Sequence, residues 1–546
     1  MVSMMQAPVL ANPLTKNSLY QFFEATAAQY PERPFLNILS DTAKIYKIKS
    51  GKITYADMSN RIARLKDAYG VAGYGTGHRV GILVENRPEF FEHWFALNAL
   101  GVSVVPINQD LRASELRYLI EHSELVLVVA MASRQRDLNE AGAPAVIGQD
   151  DDIPDVLVAR QICEIGRDTE AALLYTSGTT GVPKGCVLTN TYFLNCGAWY
   201  RDIGGACAIS EAGERMITPL PLFHMNAMAC STMAMIGVGG CLSVIDRFHP
   251  SSWWSCVREA DATIMHYLGV MPAMLMNNNA EESDTNHSLR FGFGAGVEKS
   301  LHKPFEARFN IPLIEAWAMT ETGNGAVIIA SHGDRRVGTS CFGKPNKDVE
   351  VRLELDDGSE ATRGEPGELL VRHAGENPRF GFFDRYLKNP EETEKSWLDG
   401  WFHTGDIVRQ NSDGSMVFVD RKKNVIRRSG ENIAAIEVEG ILNHHPAVDA
   451  CAVAPIPDPI RGDEVFACIK LSNPKTNNKD IAIDIVEHCL GQLAYYKAPG
   501  YIAFVDDLPL TSTNKIQRGV MKELVNRLRD SSETINCCHL KKRSTS

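Results

Sequence analysis

The residues best suited to chemistry form one loop, 176–185, which follows a short apolar run at 171–175. An apolar run of this length, bounded by turn residues, predicts a buried strand, and the loop opens at its carboxyl end. Glycines let the loop turn tightly and approach an anion, while hydroxyls and one ammonium can bind phosphate oxygens. These residues are Thr176, Ser177, Gly178, Thr179, Thr180, Gly181, Lys184 and Gly185. The sequence therefore predicts a polyphosphate-binding loop.

The spacing of this loop differs from that of the phosphate loop in P-loop nucleotide hydrolases. That motif places its lysine directly after a glycine, whereas Val182 and Pro183 separate Gly181 from Lys184 here. The alternative interpretation is a solvated turn rich in serine, threonine and glycine. The apolar run before the loop and the Pro-Lys-Gly ending after it favour phosphate binding.

Alternating apolar runs and helical patterns predict the elements that position this loop. Residues 80–84, 102–106 and 125–130 are apolar and strand-like, and helical patterns at 88–100 and 115–120 connect them. Such alternation predicts βαβ units in a doubly wound, mostly parallel sheet. Sheets of this kind bind ligands at the carboxyl ends of their strands, which is where the loop falls.

The second half of the chain has a different pattern. Residues 349–418 alternate between short strands and Asp-Gly turns, which predicts an antiparallel β subdomain. A charged stretch at 420–428 then precedes a compact segment with an α/β pattern, as expected for a linker and a second domain. We therefore expect an α/β protein with a large N-terminal domain at 1–420, a small C-terminal α+β domain at 421–530 and a flexible tail at 531–546. That the small domain is mobile is implied by the family resemblance given below.

Length and composition limit the class of protein. A chain of 546 residues is too long for one core, and 44% hydrophobic and 23% charged residues are typical of globular proteins. The net charge of −11 argues against a general nucleic-acid binder. The 13 cysteines include no C-x-x-C pair, and no segment has the pattern of a signal peptide or a membrane span. We expect a soluble, cytoplasmic protein without stable membrane insertion.

An ordered set of motifs between residues 53 and 518 resembles the adenylate-forming superfamily of acyl-CoA synthetases, luciferases and stand-alone adenylation domains. In that family, the loop described above embraces the β- and γ-phosphates of ATP. The segment Trp-Ala-Met-Thr-Glu-Thr at 317–322 resembles the family segment in which a threonine contacts the α-phosphate and a glutamate holds Mg²⁺. The resemblance assigns these roles to Thr320 and Glu321, and it places Trp317 at the nucleotide. Magnesium prefers one or two carboxylates together with phosphate oxygens.

Two further motifs resemble nucleotide-binding segments of the family. Gly294, Ala295 and Gly296 match the glycine-rich strand end that packs against adenine and borders the acyl pocket. Val297 breaks the G-x-G-x-x-G pattern of dinucleotide sites. At the end of a Gly-Trp-Phe-His-Thr-Gly-Asp segment, Asp406 matches the aspartate that binds both ribose hydroxyls, a role that suits a carboxylate.

The remaining motifs resemble segments that move or that contact the acid and the thiol. Arg421 matches a second ribose contact, and Lys423 matches the hinge between the domains. Gly430 matches a loop that is used with CoA. Lys515 matches a lysine that bridges the substrate carboxylate and the α-phosphate. The family commonly has glycine directly before that lysine, where this chain has Asn514.

One histidine in the resembling segments has several interpretations. His224 lies in a segment that resembles the lining of the acyl pocket. It could contact the acid, gate the thiol tunnel or serve as a buried structural histidine.

Together the motifs imply an ATP-dependent, AMP-forming acid–CoA ligase that uses ATP, Mg²⁺ and coenzyme A. Such an enzyme converts a small carboxylic acid to an acyl-adenylate, releases pyrophosphate and passes the acyl group to the CoA thiol. The alternatives are an adenylation enzyme that charges a carrier protein, a luciferase-like oxygenase and a catalytically inactive nucleotide-binding protein. The sequence leaves the oligomeric state open and allows a homodimer.

Two features bear on the identity of the acid. Trp253, Trp254 and Trp317 lie in or near the pocket segments, and an aromatic cage would suit a quaternary ammonium group. Residues 220–272 also resemble carnitine-type CoA ligases. Because tryptophans are more often part of the core, the favoured interpretation is that these belong to the core, with a small or medium fatty or aromatic acid as the default substrate.

Overall fold

The computed structural model describes residues 12–160, 163–176, 183–355, 357–421, 426–433, 435–473, 479–509 and 518–542. The described residues form four β-sheets with helices packed on them. From the first described residue to the phosphate loop, the elements are α1 (Leu19–Gln29), β1 (Pro34–Ile38), α2 (Ser40–Tyr46), β2 (Gly51–Thr54), α3 (Tyr55–Val71), β3 (Arg79–Leu83), α4 (Pro88–Ala99), β4 (Ser103–Pro106), α5 (Ala113–Ser123), β5 (Leu125–Ala130), α6 (Ala132–Glu140), β6 (Val146–Ile147) and β7 (Glu170–Thr176).

After the phosphate loop the chain alternates again between strands and helices. These elements are β8 (Lys184–Thr189), α7 (Asn190–Asp202), β9 (Arg215–Thr218), a π-helix (Asn226–Ser231), α8 (Thr232–Val238), β10 (Cys241–Val244), α9 (Trp253–Glu259), β11 (Ile264–Leu268), α10 (Val270–Met276), β12 (Phe291–Ala295), α11 (Lys299–Phe309), β13 (Leu313–Trp317) and β14 (Ile328–Ile329).

Two large sheets are built from these elements. The first has the order β14-β13-β12-β11-β9-β10-β1-β2, and the second has the order β18-β8-β7-β4-β3-β5-β6, in which β18 is the later strand Arg385–Tyr386. All pairs from β13 to β1 in the first sheet are parallel, as are those from β7 to β6 in the second. The predicted α/β class with mostly parallel sheets is confirmed, and the βαβ units expected around residues 80–130 are present.

Helix α4 connects the cores of the two sheets. Ten of its twelve residues are buried, among them the polar Glu92, His93 and Asn98. Phe91 packs edge-on against Phe35 of β1 in the first sheet, with ring centroids 5.5 Å apart. The helix then leads into β4 of the second sheet. The two sheets therefore share one hydrophobic core, which fixes the strand ends relative to each other.

The third sheet is antiparallel, as the turn pattern at 349–418 predicts. It has the order β15-β21-β20-β17-β16, and β19 pairs with β20. Strand β18 instead extends the second sheet by pairing with β8, and it brings α12 close to the phosphate loop. The elements are β15 (Cys341–Gly343), β16 (Val349–Glu354), β17 (Pro366–His373), β18 (Arg385–Tyr386), α12 (Pro390–Lys395), β19 (Trp397–Leu398), β20 (Trp401–Gln410) and β21 (Met416–Arg421).

The C-terminal domain has its own sheet and core. The sheet has the order β23-β22-β25-β26-β27, and β24 pairs with β25. Its apolar cluster contains no residue before Ile426, so the chain changes sheet and core between 421 and 426. The elements are β22 (Ile426–Arg428), β23 (Glu431–Ile433), α13 (Ala435–Leu442), β24 (Val448–Asp458), β25 (Gly462–Leu471), α14 (Lys479–Gln492), β26 (Tyr501–Phe504), α15 (Arg518–Leu528) and β27 (Thr534–Asn536).

The described end of the chain differs from the flexible tail expected at 531–546. Strand β27 pairs with β26, and the side chain of Lys541 is buried against Glu464. Glu464 also accepts a hydrogen bond from Arg428 Nε at 2.7 Å. Burial and the neighbouring Arg428 lower the pKa of Lys541 to about 8. A short polar strand and one buried ion pair hold residues 534–542 on the C-terminal domain. Neither feature produces a periodic sequence pattern, so the sequence did not indicate it.

Two expectations about composition are also answered by the structure. The cysteines all lie within the described ranges, and none of them forms a disulfide. Among the helices described, none has the length and hydrophobicity needed to cross a bilayer.

Candidate active site

Strands of three sheets bring the predicted nucleotide-binding residues together. Thr176 ends β7, Trp317 ends β13, and Asp406 lies on β20. The hydroxyl of Thr176 lies 3.4 Å from Glu321 Oε1. The indole Nε1 of Trp317 donates a hydrogen bond to Asp406 Oδ2 at 2.9 Å. Residues from distant parts of the sequence thus meet where the strands of an α/β protein end, the usual place for a ligand.

The predicted magnesium ligand, Glu321, is a buried carboxylate with a fixed position. The hydroxyl of Tyr386 donates a hydrogen bond to its Oε1 at 3.0 Å. Burial and the nearby Glu321 charge raise the pKa of Tyr386 far above its usual range, so the hydroxyl keeps its proton and donates. Within the described ranges, no group of three or more His, Cys, Asp or Glu side chains could hold a metal by itself. A single carboxylate nevertheless suits Mg²⁺ that arrives with ATP, because phosphate oxygens and water supply the other ligands.

Lys184 is held at the end of the phosphate loop by two partners. Its Nζ forms an ion pair with Glu392 of α12 and lies 4.9 Å from the centre of the Tyr386 ring. The hydrogen bond from Lys184 lowers the pKa of Glu392. Lys184, Tyr386 and Glu321 therefore form one connected set of contacts.

Asp406 is an acidic residue that is almost fully buried. It lies on β20 opposite Arg421 on the neighbouring strand β21, as the register of the two strands shows. Its backbone N–H donates to the hydroxyl of Thr404 at 3.0 Å. A carboxylate held in this way beside an indole N–H can accept hydrogen bonds from a ribose diol.

The glycine-rich end of β12 is fixed by a buried carboxylate that the sequence pattern did not indicate. Glu315 accepts hydrogen bonds from the backbone N–H groups of Gly296 and Val297 at 2.9 and 3.0 Å, and from the hydroxyl of Tyr267 at 3.1 Å. Burial raises the pKa of Glu315. A Cβ on Gly294 would lie 2.2 Å from the carbonyl oxygen of Tyr267, so only glycine fits. The backbone of residues 294–296 is therefore a rigid edge.

Thr320 lies in the turn that follows β13. Its carbonyl oxygen accepts a hydrogen bond from the buried hydroxyl of Tyr192 at 3.0 Å. This contact fixes the backbone of the turn, while the side chain of Thr320 stays half-buried beside Glu321.

His224 lies where the two domains meet. Its Nε2 is 3.5 Å from Glu431 Oε2 of the C-terminal domain. The preceding residue, Gly430, has a φ of +88°, and a Cβ there would lie 2.3 Å from Leu268 Cδ1 of the N-terminal domain. The predicted CoA loop and the predicted pocket histidine are therefore neighbours in this domain arrangement.

A closed polar network lies behind the end of β12. His266 is fully buried, with Nε2 2.9 Å from the hydroxyl of Tyr200 and Nδ1 2.9 Å from that of Ser231. Burial lowers the pKa of His266 to about 3, so the ring is neutral. Ser231 ends the π-helix, an element that is frequent at functional sites. The ring of Phe293 stacks on His266 with centroids 4.7 Å apart.

Of the two interpretations of Trp253 and Trp254, the structure bears out the core and contradicts the aromatic cage. Trp253 is fully buried against Phe248, and Trp254 stacks on Phe309 at 4.6 Å. Both residues belong to a core cluster that does not include Trp317. Their amphipathic helix turns its aromatic side into the core, which explains the apolar pattern without a ligand. A third tryptophan, the half-buried Trp199, lies beside Phe293 with ring centroids 6.3 Å apart.

Several predicted residues cannot be placed. Ser177, Gly178, Thr179, Thr180, Gly181, Lys423 and Lys515 lie outside the described residues, and only the backbone of Arg421 is described. Sequence reasoning in turn missed Glu315, Tyr386, Glu392, Glu431 and His266. The Asn-Pro-Glu-Glu start of α12 is a recognisable helix start with an acidic first turn, but nothing in it indicates that Glu392 reaches Lys184.

Comparison with known proteins gives this site a family. Residues 23–377 match the AMP-binding enzyme family, and residues 437–515 match the AMP-binding enzyme C-terminal domain. A crotonobetaine/carnitine–CoA ligase from Citrobacter koseri is 30% identical over 88% of this chain and 96% of its own length.

Solved structures share the fold. A double mutant of o-succinylbenzoate CoA synthetase from Bacillus subtilis, bound with a product analogue, matches with a TM-score of 0.78 at 23% identity, covering 93% of this chain and 98% of its own. The same enzyme in complex with AMP matches over the same shares of both chains, at 23% identity, with a TM-score of 0.63.

The chain belongs to the AMP-binding enzyme family. It is an ATP-dependent, AMP-forming acid–CoA ligase, as the ordered motifs imply, and it has the large N-terminal and smaller C-terminal domains of that class.

Proposed function

We propose that the residues gathered around Glu321 catalyse formation of an acyl-adenylate. Glu321 would hold the Mg²⁺ that accompanies ATP. Lys184 and the loop at 176–181 would bind the β- and γ-phosphates, with Thr320 at the α-phosphate. Asp406 and Arg421 would bind the ribose, and adenine would pack on residues 294–296. The observation that carries this proposal is the connected set of Lys184, Tyr386 and Glu321 beside the end of β7.

The chemistry requires positioning and charge stabilisation rather than a nucleophilic side chain. A carboxylate is a poor acyl donor because oxide would have to leave, and its anhydride with AMP has a good leaving group. The carboxylate oxygen attacks the α-phosphorus in line, and pyrophosphate departs. Cations placed around the phosphates stabilise the charge that develops. We assign Lys515 to the α-phosphate and the substrate carboxylate in this step.

The second half-reaction transfers the acyl group from the adenylate to the CoA thiolate, and AMP leaves. The domain arrangement described here suits this step, since Gly430 packs on Leu268 and Glu431 lies beside His224. The higher TM-score against the product-analogue complex than against the AMP complex of the same synthetase supports this assignment. In the first half-reaction, rotation at Lys423 would withdraw Gly430 and bring in Lys515.

Single-turnover measurements of the two half-reactions test this division of roles. Lys515→Ala should abolish pyrophosphate release from ATP and acid, and should leave thioester formation from supplied acyl-adenylate and CoA nearly unchanged. The matched control is Lys522→Ala, which removes a lysine from the same part of the chain. Equal loss of both half-reactions in the Lys515 variant would contradict the assignment.

For the acid, we propose a short carboxylate with a quaternary ammonium tail. The support is the name of the relatives, crotonobetaine/carnitine–CoA ligase, and the half-buried Trp199 beside Phe293, because an aromatic face attracts such a cation. Crotonobetaine should be activated with a higher kcat/KM than 5,5-dimethylhex-2-enoate, which replaces the charged nitrogen by carbon and keeps the shape. Preference for the neutral acid in an assay of pyrophosphate release would exclude the ammonium tail.

We also propose that free CoA is the acceptor and that the enzyme works in the cytoplasm. Comparing CoA with a phosphopantetheinylated carrier protein as acceptor tests the first point, and cell fractionation tests the second. Light scattering decides between a monomer and the homodimer that the sequence allows.

A further inference from the structure

A buried ammonium group connects the two domains away from the nucleotide-binding residues. Lys497, between α14 and β26 of the C-terminal domain, lies 2.7 Å from Glu115 Oε1 and 2.7 Å from Glu437 Oε1. Glu437 belongs to the same domain, on α13, whereas Glu115 belongs to α5 of the N-terminal domain. The side chains of Lys497 and Glu115 are only 8% and 10% exposed. We call these three residues the Lys497 triad.

The two ion pairs of the triad respond differently to a rotation of the C-terminal domain. Lys497 and Glu437 move together, so their contact is kept in any domain arrangement. The contact with Glu115 exists only while α5 faces the C-terminal domain as it does here. Burial alone would lower the pKa of Lys497, but the carboxylates of Glu115 and Glu437 raise it above its usual value, so the group is charged. Separating a buried charge from one partner is costly, and the triad therefore favours the present arrangement.

Two hydrogen bonds near the Lys497 triad also join the N-terminal domain to the C-terminal domain. The side-chain amide of Asn108 donates to the hydroxyl of Tyr496 at 3.0 Å in a buried position. Ser114, next to Glu115, donates its hydroxyl proton to the carbonyl oxygen of Gln492 at 2.8 Å. These contacts place one end of α5 against the C-terminal domain.

The other half of α5 contacts the phosphate loop. The hydroxyl of Tyr118 donates a hydrogen bond to the carbonyl oxygen of Pro183 at 3.0 Å, directly before Lys184. One helix of 11 residues thus touches both the end of the phosphate loop and the C-terminal domain.

We propose that Glu115 is a positioning residue for acyl transfer: through Lys497 it holds the C-terminal domain where its glycine loop meets the thiol site, and it takes no part in adenylation. This proposal rests on the proposed division of the two half-reactions. It adds a residue that touches neither ATP nor the acid.

The test is Glu115→Gln, which keeps the shape and removes the charge. Thioester formation from supplied acyl-adenylate and CoA should fall about tenfold, the effect of losing one hydrogen bond between charged groups. The rate of pyrophosphate release in the absence of CoA should stay within about twofold of the wild-type rate. Adenylation uses the other domain arrangement, in which Glu115 does not contact Lys497. Arg117→Gln is the matched control, since Arg117 is on the same helix and donates to the carbonyl oxygen of Glu140 instead. It should leave both half-reactions unchanged.

A double-mutant cycle separates the proposed contact from a general loss of stability. Lys497→Met should slow acyl transfer in the wild-type background and should cost clearly less in the Glu115→Gln background. Three results would overturn the proposal. The first is additive effects of the two substitutions, and the second is unchanged acyl transfer in Glu115→Gln. The third is equal loss of both half-reactions in Glu115→Gln with an unchanged thermal midpoint. If Lys515→Ala itself fails to separate the half-reactions, the proposed function fails; if it separates them and Glu115→Gln does not, only the positioning role fails.

Discussion

The two walls of the active site hold their polar groups in different ways. On the phosphate wall, Lys184, Glu392 and Glu321 are charged groups from separate elements, and the ion pair between Lys184 and Glu392 is one that a phosphate could replace. His266 and Tyr200, which lie behind the glycine-rich strand end proposed to border the acyl pocket, are neutral and fully buried in a closed network. We call this second region the acyl wall. We therefore expect the phosphate wall to exchange partners when ATP binds, and the acyl wall to keep its contacts.

The largest expected effect is on the phosphate wall. Glu321→Gln removes the charge that would hold Mg²⁺, and we expect acyl-adenylate formation to fall by about 10²- to 10³-fold, as for loss of a main electrostatic contact in a transition state. The measurement is pyrophosphate release at saturating ATP and Mg²⁺. Glu391→Gln, in the exposed first turn of α12, is the control and should retain activity. Near-normal rates in the Glu321 variant would show that the metal lies elsewhere.

The next effect concerns the acyl wall and pH. A neutral buried histidine with a folded pKa of about 3, against 6.5 when exposed, binds no proton in the folded state where the unfolded chain does. Its contribution to stability is therefore complete above pH 6.5 and is lost as the pH falls toward 3. Between pH 6.5 and 5 this amounts to roughly 2 kcal/mol for His266.

Chemical denaturation at pH 7 and pH 5 checks this prediction. His266→Gln should lose less unfolding free energy on acidification than the wild type, although it is less stable at pH 7. His93 is also buried, with a pKa of about 4, and it remains in both proteins as an internal reference. If both proteins lost the same unfolding free energy between pH 7 and pH 5, the neutral state of His266 would be contradicted.

A smaller effect is expected from Tyr386→Phe. The change removes the hydroxyl that donates to Glu321 and keeps the ring beneath Lys184. Loss of one hydrogen bond to a charged group should raise the Mg²⁺ concentration required for half-maximal adenylation by about tenfold. Tyr20→Phe, a surface tyrosine bonded to Glu24, serves as the control. If the Mg²⁺ dependence does not move, the hydroxyl does not orient the carboxylate.

The smallest effect should follow Glu392→Gln, and this substitution should improve ATP binding where the others impair the enzyme. Glu392 forms an ion pair with Lys184 and would compete with the ATP phosphates for it. Removing its charge should therefore lower the KM for ATP about two- to threefold, the size expected for a partly exposed ion pair. Initial rates at varied ATP concentrations, with Glu391→Gln again as control, measure this change. A higher KM would mean that Glu392 supports the bound state instead of competing with it.

The parts of the molecule that follow local patterns could be predicted from sequence. The apolar runs at 80–130 gave parallel strands, and the Asp-Gly turns after residue 349 gave an antiparallel sheet. The motif residues Thr176, Glu321 and Asp406 have recognisable neighbours in the chain. Contacts such as Lys184 with Glu392 could not be foreseen, because they join segments about 200 residues apart through long side chains.

Composition left one question open and misled on another. The aromatic stretch at Trp253 and Trp254 would suit either a cage or the core, and helix α9 faces the core. The polar segment after residue 531 has the composition of a tail, yet a three-residue strand and Lys541 attach it to the C-terminal domain. Composition alone does not report which face of an element is covered by the rest of the fold.

The buried Lys541 has a practical consequence for handling the enzyme. It shares Glu464 with Arg428, which lies two residues before Gly430. A reporter or purification tag inserted just before residue 541, or a truncation that removes it, would leave Glu464 with one cation fewer beside the Gly430 loop, which we propose meets the thiol. A label for studying domain rotation is therefore better attached to the exposed side of α6 than to the end of the chain.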